Sequence, residues 1–211
     1  DLWGKLEGCS VTEFFGGRKQ VTVCCYGSAG MYQSAESYAR EAAAVCELGF
    51  SAYKYRPALG PAEDLRTVEL MRQAVGPEVG LCLDAHGWWR MGDKSYDAST
   101  IQTLAHDIAP FGITWLEEPL PLDDDSSYAK LRSNEIVPIA AGEHEHDLAG
   151  FERLVESGSV DIAQADVSHH GGFSGVSDIL KLCERSGVTF AFHNWGTALE
   201  TVVDALIGSL S

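Results

Sequence analysis

Val79-Gly80-Leu81-Cys82-Leu83-Asp84-Ala85-His86 is the stretch that decides the fold. A short apolar run ends in a carboxylate, Asp84, and a histidine follows two places later. The pattern returns twice. Ile113-Thr114-Trp115-Leu116 runs into Glu117-Glu118-Pro119, and Val137-Pro138-Ile139-Ala140-Ala141-Gly142 runs into Glu143. Short apolar runs of this kind, bounded by turn residues, read as buried strands. Each delivers an acid at its C-terminal end. Asp84, Glu117 and Glu143 are 33 and 26 positions apart, the length of one strand plus one helix each time. Successive strands of a parallel sheet end side by side on one face. Three carboxylates would converge there, a donor set suited to a hard divalent cation.

Working outward, the rest of the chain keeps the same rhythm. Strands are expected at Val21–Tyr26, Phe50–Tyr55, Val79–Leu83, Ile113–Leu116, Val137–Ala141, Val160–Gln164 and Val188–Phe192. Helical spacing of apolar residues follows each one: 34–48, 61–75, 97–109, 126–132, 147–156, 173–186 and 198–207. Gly49, Gly158 and Gly187 stand where helices stop, and Gly76-Pro77 closes the second. Seven β/α units imply a parallel sheet with right-handed crossovers. The expected class is α/β, a TIM-like (β/α) barrel with seven strand/helix units. No GxGxxG or GxxxxGK[ST] follows the first strand, which counts against a nucleotide-binding doubly wound sheet.

Bulk composition narrows the function. The 211 residues include 15 basic and 31 acidic side chains, for a net charge of −16. Such a balance argues against nucleic acid and anionic membrane as partners. An anionic substrate would need local positive charge from side chains or a metal. The six cysteines (9, 24, 25, 46, 82, 183) form no CxxC pair and read as buried free thiols of a reducing cytoplasm. The expected partner is a small carboxylate, the expected assembly a homo-oligomer, and the expected location cytoplasmic.

Ionisable residues stand just past six consecutive strands: Lys54 and Arg56, Asp84 and His86, Glu117 and Glu118, Glu143 and His144, Asp166, and His193. The order KYR, DAH, WLEEPL, AAGE, DIAQAD with HHGG, then HNWGTA resembles the barrel domain of the enolase superfamily, mandelate racemase/muconate lactonizing enzyme subgroup, in its acid-sugar dehydratase-like form. The likeness runs from GKLEG at 4–8 and FFGG at 14–17 through HNWGTA at 193–198. It implies that Asp84, Glu117 and Glu143 bind one Mg²⁺. It implies that Lys54 lies by the substrate carboxylate, and that Asp166 and His193 form a dyad acting as base. It also implies that residues 1–20 are the tail of a capping-domain helix and a linker, with a partial barrel over 21–211. The capping domain proper and the eighth strand are not expected in this chain.

The chemistry agrees with that likeness. Removing a proton next to a carboxylate builds a dianion, which a divalent ion on hard oxygens would stabilise. Histidine titrates near neutrality, and an aspartate behind it would support its charged form. Arg56 stands where the family usually has a second lysine. A guanidinium stays protonated and is a poor base. One-base elimination of water from a sugar acid, giving a 2-keto-3-deoxy acid, is the reading this favours, with His193 or His86 as the acid for the leaving hydroxyl. A racemase or epimerase of a 2-hydroxy acid, and a truncated barrel without activity, stay open as alternatives. A zinc site at His144-Glu145-His146 is a weaker fourth.

Overall fold

The computed structural model describes residues 2–20 and 22–210. Nine α-helices and seven strands are found among them: α1 (Leu2–Glu7), α2 (Val11–Phe14), β1 (Gly27–Met31), α3 (Ala35–Glu47), β2 (Ala52–Arg56), α4 (Pro61–Val75), β3 (Gly80–Asp84), α5 (Ala98–Ile108), β4 (Ile113–Glu117), α6 (Asp125–Ser133), β5 (Ile139–Ala141), α7 (Leu148–Glu156), β6 (Ile162–Ala165), α8 (Gly172–Ser186), β7 (Thr189–Phe192) and α9 (Ala198–Gly208). The strands follow chain order across one sheet. This is the expected α/β class, with the strand–helix alternation of a (β/α) barrel in seven units. Among the described residues no helix is long and apolar enough to cross a membrane.

The chain divides into two compact units. The larger holds residues 25–141 and 154–162. Its strands pair in parallel, with Lys54 beside Cys82, Leu83 beside Leu116, and Asp84 beside Glu117. β2, β3 and β4 are buried over nearly their whole length, as expected of parallel strands covered on both faces. Leu81, Leu83, Leu116 and Ile139 fill the core with Tyr38, Val68, Met71, Ile101 and Ile108 from the helices. In α4 the buried positions 64, 67, 68 and 71 form one helical face, and Pro61 opens the helix. Asp161 fixes the start of β5: its N–H donates to the Ile139 carbonyl at 2.9 Å, and its Oδ2 accepts from the Ile139 N–H at 2.9 Å.

The first strand departs from the sequence reading. Val21–Tyr26 was expected; 22–26 is irregular, residue 21 lies outside the described residues, and the strand is Gly27–Met31. Val-Thr-Val-Cys-Cys-Tyr has the β-propensity, yet pairing with β2 falls on Gly-Ser-Ala-Gly-Met. Small residues are needed there. A Cβ on Gly30, which has φ +69°, would lie 2.5 Å from the Tyr53 hydroxyl and 2.8 Å from the Tyr38 ring. Packing therefore overrides propensity at this strand. The cysteine reading changes with it: Cys24 and Cys25 are exposed, whereas Cys82 and Cys183 are buried, and none of the six is in a disulfide.

The second unit holds residues 1–24, 142–153 and 163–211. α2 opens on a capping box in which Ser10 and Glu13 bond each other's backbone N–H. The His193 N–H donates to the Ala165 carbonyl at 3.1 Å, joining the ends of β7 and β6. α8 buries Val176, Ile179, Leu182 and Cys183 along one face and stops at Gly187.

Candidate active site

In the larger unit, four charged side chains come from three neighbouring strands. Lys54 and Arg56 lie two apart on β2, so they share a face. Asp84 and Glu117 are the last residues of β3 and β4, opposite each other in register. All four are buried. Lys54 Nζ bonds Glu117 Oε1 and lies 3.5 Å from Asp84 Oδ2. Arg56 Nε lies 3.2 Å from Asp84 Oδ2. The Trp115 indole N–H donates to Glu117 Oε2 at 2.9 Å. Two cations thus balance two carboxylates in a dry setting, where an unpaired charge would be costly.

Electrostatics follow from that pairing. Burial alone would push the Asp84 carboxyl up, but the His86 hydrogen bond and the charges of Lys54 and Arg56 hold it well below the ordinary carboxylate range. Burial would lower Lys54, but Glu117, Tyr26 and Asp84 raise it above the usual lysine value. Both ions are therefore fixed near neutral pH. A carboxylate kept ionised beside a second one, on rigid strands, fits a hard divalent cation.

The loop after β3 is held by an acid the sequence reading passed over. Asp64, buried on α4, accepts from the Ala58 and Leu59 N–H groups at 3.1 and 2.9 Å. It also accepts from the Trp88 indole at 2.9 Å and the Tyr96 hydroxyl at 2.8 Å. This ties the loop after β2 to the loop that carries His86. His86 Nδ1 lies 2.5 Å from Asp84 Oδ1. Glu118 points elsewhere: its backbone has φ +46°, its Oε2 is 3.1 Å from the Tyr128 hydroxyl, and its carbonyl accepts from the Trp89 indole at 2.9 Å. Trp115 and Asp64 were both missed. Trp115 stands two places before Glu117, on the same face of β4, and that spacing could have found it. An aspartate in the first turn of a helix carries no such signal.

In the second unit, Asp166 and His193 stand immediately after β6 and β7. His193 Nδ1 lies 2.8 Å from Asp166 Oδ2, and His193 Nε2 lies 3.1 Å from Glu143 Oε2. One imidazole thus bridges an aspartate and Glu143. Asp166 has further company. The His169 N–H donates to its Oδ1 at 2.8 Å, and His169 Nδ1 lies 3.0 Å from both oxygens. Burial would raise the Asp166 carboxyl, but these bonds hold it at about 2. The adjacent His170 is different. It is buried, and its Nδ1 accepts from the Asp166 backbone N–H at 3.0 Å. Glu145, from the expected loop after Glu143, pairs with Arg153 at 2.7 Å.

Comparison with known proteins follows the same lines. Residues 37–210 match the family described as Enolase C-terminal domain-like. D-galactarolactone cycloisomerase of Agrobacterium fabrum is 34% identical over 205 residues, which are 95% of this chain and 52% of the relative. L-rhamnonate dehydratase of Saccharopolyspora erythraea is 32% identical over 202 residues, 92% of this chain and 47% of the relative. The chain therefore spans about half the length of the curated relatives it matches. The crystal structure of the 3,6-anhydro-D-galactonate cycloisomerase from Zobellia galactanivorans superposes with a TM-score of 0.89 at 31% identity, over 100% of this chain and 57% of that one. By sequence and by fold, the chain belongs to the enolase C-terminal domain-like family.

Proposed function

We propose that the chain carries the catalytic face of a Mg²⁺-dependent enzyme that removes the proton next to the carboxylate of a sugar acid and expels an oxygen from the neighbouring carbon. The observation that carries this reading is the buried carboxyl pair Asp84 and Glu117, side by side in register with Lys54 and Arg56 against them. Glu143, two residues beyond β5, is the third proposed ligand. When bound, the ion supplies positive charge against the substrate carboxylate.

The chain's own residues divide the remaining work. Lys54 and Arg56 hold positive charge where the carboxylate gathers electrons. Asp166 keeps the His193 ring oriented through Nδ1, and Nε2, which lies 3.1 Å from Glu143 Oε2, takes the α-proton once Glu143 turns to the ion. The C–H electron pair moves into the carboxylate, and its return to form the C=C bond breaks the β C–O bond. The departing oxygen takes a proton from His193 or His86. The resulting enol tautomerises to a 2-keto acid.

Two leaving groups fit this sequence of bonds. Loss of hydroxyl as water would make the protein a dehydratase. Loss of a ring oxygen that stays in the molecule would make it a cycloisomerase. The two cycloisomerase relatives at 34% and 31% identity favour the second as strongly as the dehydratase at 32% favours the first. Racemisation is less favoured. It needs a second base, and Arg56 is a guanidinium engaged with Asp84.

Proton NMR in D₂O tests the reading. The protein is incubated with Mg²⁺ and a panel of aldonic acids, aldaric acids and their lactones. The expected product is a 2-keto-3-deoxy acid carrying deuterium at C3, absent from His193→Asn. Exchange at Cα without a keto product would replace elimination by racemisation. Mass separates the two leaving groups, since only dehydration loses 18 Da, the mass of water.

A further inference from the structure

We propose that Asp166, His169 and Glu200 form a second cation site, for a borderline ion such as Zn²⁺, apart from the acids proposed for Mg²⁺. One donor atom from each of the three lies within 4.8 Å of the others. His169 Nδ1 is 3.0 Å from both Asp166 oxygens. Two ligands of a tetrahedral zinc ion, each at about 2.0–2.1 Å, stand about 3.3 Å apart. The pair would have to open by only a few tenths of an ångström.

Glu200 supplies the independent observation. It lies in the first turn of α9, is 6% exposed, and its Oε2 is buried with no hydrogen-bond partner among the described residues. A glutamate three places after a helix cap ordinarily reaches back to the cap N–H. The cap here is Thr197, and this oxygen makes no such bond. A buried carboxylate oxygen without a donor is costly, and a cation is a group that would satisfy it. The chain makes room for this placement: a Cβ on Gly196 would lie 1.4 Å from Glu200 Oε2.

The donor set selects the ion. One imidazole and two carboxylates suit Zn²⁺ and its neighbours, whereas Mg²⁺ keeps to oxygen ligands and water. The His169 side chain is 65% exposed, so an ion can enter from solvent. Asp166 is also the residue that orients His193. An ion on its carboxylate would weaken the hydrogen bond to His193 Nδ1, so Zn²⁺ would inhibit. That last consequence rests on the proposed base; binding itself does not.

Zn²⁺ uptake by chelator-stripped protein in saturating Mg²⁺ tests the site, read by elemental analysis, calorimetry and X-ray absorption. The expected result is one Zn²⁺ per chain with nitrogen and oxygen ligands. Affinity should fall at least about tenfold in His169→Ala and in Glu200→Gln, by analogy with loss of a supporting ligand, and stay unchanged in Asp84→Asn. His169→Ala alters an exposed side chain, so it keeps the test valid if Glu200→Gln folds poorly. No uptake, sulfur ligands from exposed Cys24 and Cys25, or equal affinity in His169→Ala would overturn the proposal. If the NMR assay finds no turnover but this binding pattern holds, the site stands and the proposed reaction falls.

Discussion

The two units hold their acids in opposite ways. In the larger unit Asp84 and Glu117 are matched by Lys54 and Arg56, and Asp64 in the first turn of α4 gathers four donors. In the other unit Asp166 leans on histidines, Glu200 Oε2 has no hydrogen-bond partner among the described residues, and burial raises the Asp204 carboxyl to about 6 despite bonds from Asn194 and Val167. Permanent cations fix charge, while histidines let it move. The first arrangement suits a place where negative charge must be held. The second suits a place where a proton is passed. Within each unit, the residue types carried at the strand ends differ, and that difference is what separates the two settings.

The contrast can be broken at its strongest point first. If His193 is the mobile base and Asp166 only orients it, Asp166→Asn should slow solvent deuterium exchange at Cα by about 10²–10⁴-fold. Substrate KM should change little. A rate within threefold of wild type would remove Asp166 from the proton path.

Next comes the fixed pair. Lys54→Met leaves two buried carboxylates short of a cation and should cost about 3–5 kcal/mol in metal-free urea unfolding. Millimolar Mg²⁺ should restore part of that loss, since the ion and the lysine neutralise the same oxygens. A loss that Mg²⁺ does not touch would mean the pair is structural alone.

Asp64 sharpens the comparison from the scaffold side. Asp64→Ala strands the Trp88 indole and the Tyr96 hydroxyl, and should cost about 3 kcal/mol by the same measurement. Hydrogen exchange in residues 86–96 should rise with it. A neutral outcome would show that the loop carrying His86 is held by other means.

The smallest effect is at Asp204. Its folded value of about 6 lies above the unfolded aspartate range, so the folded state keeps a proton that the unfolded chain releases. Stability from this group is full below pH 4 or so and is lost as pH rises to about 6. Asp204→Asn should remove that loss, worth about 1 kcal/mol after solvent screening. The gain in melting temperature over wild type should be larger at pH 7.5 than at pH 4.5. Equal gains at both values would contradict the sign.

Much of this arrangement was legible from sequence, for physical reasons that differ by element. The helix at 61–75 was readable to the residue, because Pro61 and Gly-Pro at 76–77 are strong punctuation. Strand ends were readable within one or two places because each apolar run stops at a charge. The first strand was not, because tight packing against Tyr38 and Tyr53 demands small residues that carry no strand signal. Arg56, Asp84, Glu117, Asp166 and His193 stand at or just past strand ends, and Lys54 lies two residues before the end of β2. What stayed hidden were the partners from helices and loops. Asp64 looks like a solvated helix acid, and Glu200 like an ordinary first-turn glutamate. Nothing local says that either is buried, since burial depends on residues far away in the chain.

Calorimetry with Mg²⁺ tests the central claim most directly, on the wild-type chain and on Asp84→Asn/Glu143→Gln. The account predicts one ion bound by the wild type in the micromolar to millimolar range, as for carboxylate sites that keep water ligands, and none by the double variant. Equal heats from both proteins, or none from either, would contradict it.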